Sequence, residues 1–160
     1  MEHTYGDFMT QEQVNAVSFV VISEDVGRTT YGGAMILKPI VKIETEVLPY
    51  HLKYSVSFGY ILRNKELHTV EIEISNKDGD VVDISDITKV QFSDTSLYDD
   101  EGNRQDFSLI GDAGLTSSPG IHLQEYGKFS IKIKFNGEVL GETFFVVMPT
   151  GSYNEGVNYE

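Results

Sequence analysis

The chain has 160 residues, a formal net charge of −13 and no cysteine. This length suits one domain with a sizeable core, and the lack of cysteine excludes a disulfide framework, a thiolate nucleophile and a cysteine-ligated metal site. The negative charge disfavours direct binding to nucleic acid or to an anionic membrane, because phosphate groups would be repelled.

The N-terminal residues 1–13 are polar, and we expect a loose segment there. They lack the basic stretch followed by an apolar stretch that marks a secretory signal, so a cytoplasmic location is expected.

The apolar run at residues 14–22 is too short to cross a bilayer. It predicts a first strand that is covered on both faces, since both of its faces are apolar. Residues 23–34 contain three glycines and predict a loop.

Alternation of apolar and polar side chains marks the strands that follow. It predicts strands over residues 36–47, 54–62 and 70–75, with a return strand that begins at residue 81. Pro39 indicates that the start of the second strand lies at a sheet edge or outside the ladder, because proline cannot donate a ladder hydrogen bond. Residues 86–120 are the least regular region and predict only two short strands, one around Val90 and one around Leu109.

The clearest pattern is a hairpin near the end of the chain. Residues 129–135 alternate, Asn136 and Gly137 suit the two positive-φ positions of a type I′ turn, and a last strand runs over residues 138–148. That last strand is apolar on both faces. A neighbouring loop is the expected cover for its second face. The alternatives are the N-terminal segment and a second copy of the chain, which would make a homo-oligomer through this strand.

Together these patterns predict an all-β protein, a two-sheet antiparallel β-sandwich of about seven to nine strands. The sandwich is assigned to residues 14–149, followed by a flexible tail at residues 150–160. The expected core includes four side chains on the inward faces: Phe58, Ile72, Ile131 and Ile133.

Two segments resemble small immunoglobulin-like β-sandwiches of uncharacterised bacterial and prophage proteins. One is VEIEISNKDGDVV at residues 70–82, and the other is YGKFSIKIKFNGEVL at residues 126–140. The resemblance implies the fold and covers about a third of the chain. It carries over no catalytic residue, because no activity is attached to these motifs.

The sequence nominates no catalytic residue, no cofactor and no metal site, and we expect a protein that is not an enzyme. No GxSxG or HExxH motif occurs. The four histidines, at positions 3, 51, 68 and 122, are unpaired in sequence and are expected at the surface or in turns.

Two acidic turns and several tyrosines leave binding alternatives open. Carboxylate and amide oxygens are preferred calcium ligands, but Asp and Asn are equally expected in tight turns for backbone reasons. The two turns comprise Asn76, Asp78 and Asp80, and Asp99, Asp100, Glu101 and Asn103. Loop tyrosines can bind sugars, although packing at a sandwich corner is commoner. The tyrosines concerned are Tyr98, Tyr126, Tyr153 and Tyr159.

The acidic charge is concentrated between Glu71 and Asp112. This stretch contains twelve acidic and three basic residues, a net charge of −9. This region suggests docking of another protein with a basic surface, with Asp99, Asp100 and Glu101 as the docking residues. The leading interpretation is a non-catalytic protein-binding or accessory domain. The alternatives are an acidic inhibitor that occupies a nucleic-acid-binding site on a host protein, and an exported sugar- or calcium-binding module.

Overall fold

The computed structural model describes residues 15–31, 34–62, 67–85, 88–91 and 109–151. That part of the chain contains no helix and forms ten strands in two sheets, so the predicted all-β sandwich is confirmed. The strands are β1 (Ala16–Arg28), β2 (Ala34–Pro39), β3 (Lys42–Glu44), β4 (Tyr50–Leu62), β5 (Leu67–Ser75), β6 (Val81–Ile84), β7 (Thr88–Gln91), β8 (Leu109–Leu123), β9 (Gly127–Phe135) and β10 (Glu138–Met148).

The two sheets differ in size and in strand order. The four-stranded sheet has the order β2-β1-β4-β8, and the six-stranded sheet has the order β3-β10-β9-β5-β6, with β7 also paired to β5. All pairs are antiparallel except β3 with β10, which is parallel. Among the described strands, β8 is therefore one edge of the first sheet, and β6 lies at one edge of the second.

The core lies where the inward faces of the two sheets meet. All four residues predicted to be there are buried, with at most 4 % of their surface exposed: Phe58, Ile72, Ile131 and Ile133. Aromatic rings fill the space between the sheets. Phe58 meets Phe135 edge-on at 5.9 Å between centroids, and Phe129 stacks on Phe145 at 5.5 Å. Both arrangements suit the charge distribution of aromatic rings.

The predicted hairpin is confirmed as β9 and β10. Asn136 and Gly137 have φ angles of 53° and 82°, the positive values that a type I′ turn requires. The turn is also fixed to β5. The backbone N–H of Asn136 donates to the carbonyl oxygen of Thr69, and its Oδ1 accepts from the N–H of Thr69 at 3.0 Å.

The single strand predicted over residues 36–47 is wrong, because the structure divides it between the two sheets. β2 pairs with β1, whereas β3 pairs with β10. Lys38 has a φ of 54°, in the left-handed region that strands avoid, and Pro39 has no N–H to continue the ladder. The ladder therefore ends at Pro39, at the sheet edge as predicted for this residue.

The loop predicted over residues 23–34 is also wrong, because β1 continues to Arg28. β1 pairs with β4 as far as Ser23 and from there with β2. Arg28 Nη1 then reaches Asp112 Oδ1 on β8 at 2.8 Å. Since β1 and β8 flank β4 on opposite sides, the β1–β2 hairpin must curl over the outer face of β4.

This curl buries side chains that strand alternation assigns to solvent. Ser55 and Ser57 alternate with the inward-facing Val56 and Phe58, yet both serines are fully buried. Ser55 Oγ is hydrogen-bonded to Thr116 Oγ1 at 2.8 Å. The outward side chains at the centre of β4 are therefore shielded from solvent.

The largest difference from prediction is β8, a strand of 15 residues in place of the short one predicted around Leu109. Its glycines are places where a neighbour approaches closely. A Cβ on Gly114 would lie 3.2 Å from Val26 Cγ2, and one on Gly111 would lie 2.6 Å from Tyr60 Oη. Pro119 is tolerated because β8 is an edge strand.

Candidate functional site

The acidic docking residues Asp99, Asp100 and Glu101 lie outside the described residues, and their role stays a prediction. Tyr98, Tyr153 and Tyr159 lie outside them as well. Tyr126 is described, and its hydroxyl donates to the carbonyl oxygen of Thr45 at 3.0 Å. This tyrosine therefore ties the start of β9 to the segment after β3.

Three carboxylates in the described part of the acidic stretch lie beside cations. Lys134 Nζ lies 3.2 Å from Glu73 Oε1 and 3.8 Å from Glu71 Oε1 on the outer face of the six-stranded sheet. Asp112 is paired with Arg28. These three carboxylates are therefore partly neutralised by two basic side chains.

The turn considered for calcium is organised by its own hydrogen bonds. Asn76 Oδ1 accepts from the N–H groups of Asp78 and Asp80 at 3.0 and 2.9 Å, and Gly79 has a φ of 87°. This is the backbone role expected of asparagine in a tight turn. Within the described ranges, no group of three or more His, Cys, Asp or Glu side chains is placed to hold a metal ion.

The histidines do not all lie at the surface, and for His68 the prediction is wrong. His51 and His122 are exposed and stack across β4 and β8 at 4.7 Å between ring centroids. His68 is fully buried, because it occupies an inward position of β5. Its Nδ1 accepts from Asn136 Nδ2 at 3.1 Å, an orientation set by the bond from Asn136 Oδ1 to β5. His68 therefore supports the β9–β10 turn.

The last strand is enclosed on its inner face and open on its outer face. Phe145 and Val147 are buried in the core. Phe144 is 54 % exposed, and Lys128 Nζ lies 4.6 Å from the centroid of its ring. β10 pairs with β9 along its length and with β3 only over Val146, Val147 and Met148. A homo-oligomer through this strand stays a prediction.

A cleft of about 380 Å³ lies on the side of the sandwich where β6 and β8 are the neighbouring edges. We call it the β6–β8 cleft. Its apolar wall is formed by Val56, Ile72, Ile84, Leu115 and Pro119, and its polar groups belong to Tyr54, Asp83, Ser85, Thr116 and Ser117. Apolar walls with a few convergent polar groups are typical of binding sites.

Tyr54 and Asp83 form the polar centre of the β6–β8 cleft. The Tyr54 hydroxyl donates to Asp83 Oδ2 at 2.7 Å, and Tyr54 is only 6 % exposed. Burial raises the pKa of Tyr54 well above its usual value, and the hydrogen bond to Asp83 and the charge of Asp83 raise it further, while the Ser117 hydroxyl opposes them. The phenol therefore stays a neutral donor, and Asp83 is a carboxylate acceptor.

The strand register explains why a carboxylate points into the sandwich. Asp83 on β6 pairs with Ile74 of β5, which is buried in the core, so both side chains face inward. Ser85 then fixes the end of β6, because its Oγ accepts from the N–H of Ile72 at 2.8 Å. The sequence carried a signal of this site: Asp83 interrupts an otherwise apolar strand, Val81–Ile84, at a position where an apolar side chain is expected.

The lining of the β6–β8 cleft supports binding more than chemistry. Among the described residues, its lining includes neither a histidine nor a lysine, and its tyrosine and aspartate are hydrogen-bonded to each other. A second concavity, of about 470 Å³, is lined by charged residues that include Glu24, Lys42, Glu44 and Lys53. The more apolar lining makes the first concavity the stronger candidate.

Comparisons with known proteins add little to this description. No protein family and no curated protein matches the chain. Among solved structures, the chain is similar to an alkylpurine DNA glycosylase, AlkC, of Pseudomonas fluorescens, bound to DNA that contains an abasic site analog. The identity is 10 %, the TM-score is 0.38, and the match covers 83 % of this chain and 30 % of that one. The likeness is too weak to carry an argument about function.

No helix among the described residues is long and apolar enough to span a membrane.

Proposed function

We propose that this chain is a non-catalytic protein-binding domain whose partner presents an extended segment to the β6–β8 cleft. The observation that carries the proposal is the position of the cleft. It opens between an edge strand of each sheet, and β8 is paired, among the described strands, with β4 alone. An extended segment placed there gains backbone hydrogen bonds from a strand edge and apolar contacts from the cleft.

Strand addition to a sheet edge divides affinity and specificity between two kinds of contact. Backbone groups of the edge supply hydrogen bonds, and pockets for alternate side chains supply selectivity. Here Leu115 and Ser117 face the cleft, because they pair with Val56 and Tyr54 of β4. A bound segment would direct alternate side chains into the cleft in the same way.

The polar groups of the β6–β8 cleft support a binding role in particular. A general base must be available to accept a proton from substrate. The carboxylate of Asp83 is already the acceptor of the Tyr54 hydroxyl, and Tyr54 is held neutral by its surroundings. This pair therefore orients a ligand better than it moves a proton.

The immunoglobulin-like classification, the bacterial or prophage origin and the cytoplasmic location are parts of the same proposal. The resemblance that supports the classification lies in two hairpins that are neighbours in space. One joins β5 to β6 and the other joins β9 to β10, and β5 pairs with β9. The two segments that carry the resemblance therefore build one continuous part of the six-stranded sheet.

Selection from a random peptide-display library, with the whole chain as bait, tests the proposed function. Ser117→Phe fills the cleft, whereas Ser18→Phe makes the same change at an exposed position of β1 that does not line the cleft. Selected peptides should bind Ser117→Phe at least about tenfold more weakly than wild type, a loss of about 1.4 kcal/mol, and should tolerate Ser18→Phe. If the selected peptides bind both variants as tightly as they bind wild type, the proposal is contradicted.

Amide chemical shifts of the wild-type protein provide a second measurement that needs no variant to fold. Adding a selected peptide should shift the signals of Asp83, Ser85 and Leu115, which line the cleft. The amides of Lys132 and Glu142, whose side chains lie on the outer face of the six-stranded sheet, serve as the control. Shifts confined to the control face would place the interface elsewhere.

A further inference from the structure

We infer that the β6–β8 cleft selects a lysine or arginine side chain of the bound segment; this inference rests on the proposed function. The observation behind it is a carboxylate set among apolar walls. Asp83 faces Val56, Ile72 and Leu115 in the lining of the cleft. The charge of that carboxylate decides which side chains can enter.

Asp83 has hydrogen-bonding capacity beyond its bond to Tyr54. An ionised carboxylate offers about four lone-pair positions, and the Tyr54 hydroxyl uses one of them, on Oδ2. Closing the cleft with an apolar side chain would bury the remaining positions without compensation, which is costly. A cationic group would satisfy them with charge-assisted hydrogen bonds, which are the stronger kind.

Lysine and arginine also match the walls of the cleft. Both side chains carry an apolar methylene stem behind a charged head group. The stem can lie along Val56, Ile72 and Leu115 while the head group reaches Asp83. An acidic side chain would meet repulsion from Asp83, and a short polar one would leave the apolar wall uncovered.

The charge of the whole chain acts in the same direction. With a net charge of −13, the chain attracts basic segments over distances longer than a contact. This general attraction cannot choose a position along a peptide. Asp83, as the one carboxylate among the described residues that line the β6–β8 cleft, determines which position of the bound segment must be basic.

The same random peptide library, selected on the wild-type chain, tests this inference. Among peptides whose binding is lost in Ser117→Phe, lysine or arginine should be enriched at one fixed position. Replacing that residue by norleucine, which keeps the methylene stem without the charge, should weaken binding about tenfold or more.

Asp83→Asn tests the recognising group directly. The asparagine oxygen can still accept from Tyr54, so the change removes the charge and keeps the hydrogen bond that holds Tyr54 in place. It should weaken the basic peptides about tenfold and leave their norleucine versions nearly unchanged. Asp78→Asn is the matched control, because it removes the same charge from an exposed turn away from the cleft.

The outcomes separate this inference from the proposed function. Cleft-dependent peptides without a fixed basic residue would overturn the inference and leave the proposed function standing. Equal losses in Asp83→Asn and Asp78→Asn would also overturn it, since they would show general attraction alone. If no selected peptide depends on Ser117, the proposed function fails and this inference fails with it.

Discussion

The β9–β10 hairpin and strand β8 are built on opposite principles. In β9 the inward residues Ile131, Ile133 and Phe135 are at most 2 % exposed, and they alternate with serine and lysine. In β8 the central residues are small, and glycines stand where Tyr60 and Val26 approach. The structure of the hairpin is determined by its own side chains, whereas the structure of β8 is determined by the strands that pack against it.

This difference shows that a strand can be stabilised from within or from outside. Large apolar side chains bring their own burial energy to β9. β8 has small residues where neighbouring side chains pack against it, and it is stabilised by its hydrogen-bonded ladder with β4 from Tyr50 to Leu62. The β6–β8 cleft lies on this second kind of strand, which lines it with Leu115, Thr116, Ser117 and Pro119.

The largest effect should separate the two faces of β9. Ile133→Ala should destabilise the fold by about 2–5 kcal/mol, because a fully buried side chain loses its contacts and leaves a cavity. Lys132→Ala, one residue away on the outer face, should cost less than about 0.5 kcal/mol. Urea denaturation measures both, and similar losses would mean that the two faces of β9 are assigned the wrong way round.

A smaller effect is expected where β8 lies under the β1–β2 hairpin. Gly114→Val should cost about 1–3 kcal/mol, because a Cβ at Gly114 lies only 3.2 Å from Val26 Cγ2 before the rest of the valine is added.

Val26→Ala provides the control for that contact. Combined with Gly114→Val, it should recover about 1 kcal/mol relative to the sum of the single changes, because it removes the crowding. Additive losses in the double variant would show that Val26 does not limit the space above Gly114.

A β-branched residue in the hairpin turn should lower the free energy of unfolding by about 1 kcal/mol or more. Gly137 has a φ of 82°, which is unfavourable for a β-branched residue. Gly137→Val should therefore destabilise the fold by this amount, measured from the shift of the denaturant midpoint. No atom outside its chain neighbours lies within 4 Å of a Cβ built at this site, so the effect would come from the backbone and not from a clash. Gly137→Asn should cost less, because asparagine tolerates the left-handed region; an equal cost would exclude this explanation.

The smallest effect concerns alkaline pH and the β6–β8 cleft. Because the pKa of Tyr54 is raised on folding, its contribution to stability is fully present below the unfolded pKa and is lost as pH rises above it. With an unfolded pKa of about 10, the loss at about pH 10.5 should be about 0.8 kcal/mol. Urea midpoints compared between about pH 9 and 10.5 should therefore fall more for wild type than for Tyr54→Phe. Parallel profiles would mean that Tyr54 ionises as readily in the folded protein.

The sequence alone determined the regular part of this protein. Alternation identified β4, β5 and β9, and the Asn136-Gly137 pair identified the turn that leads into β10, because side-chain periodicity and turn chemistry are local properties. The buried residues Phe58, Ile72, Ile131 and Ile133 followed from the same patterns. Asp83 within an apolar strand was the one local sign of the candidate site.

Only the tertiary structure decided the rest. The extent of β8, the curl of the β1–β2 hairpin over Ser57, the burial of His68 and the division of residues 36–47 between two sheets all depend on residues distant in sequence. The β6–β8 cleft has the same origin, since Tyr54, Asp83 and Ser117 come from three strands. The physical reason is that strand pairing joins segments far apart in the chain. The neighbours that bury a side chain, or leave a space beside it, are therefore set by the fold and not by the local pattern.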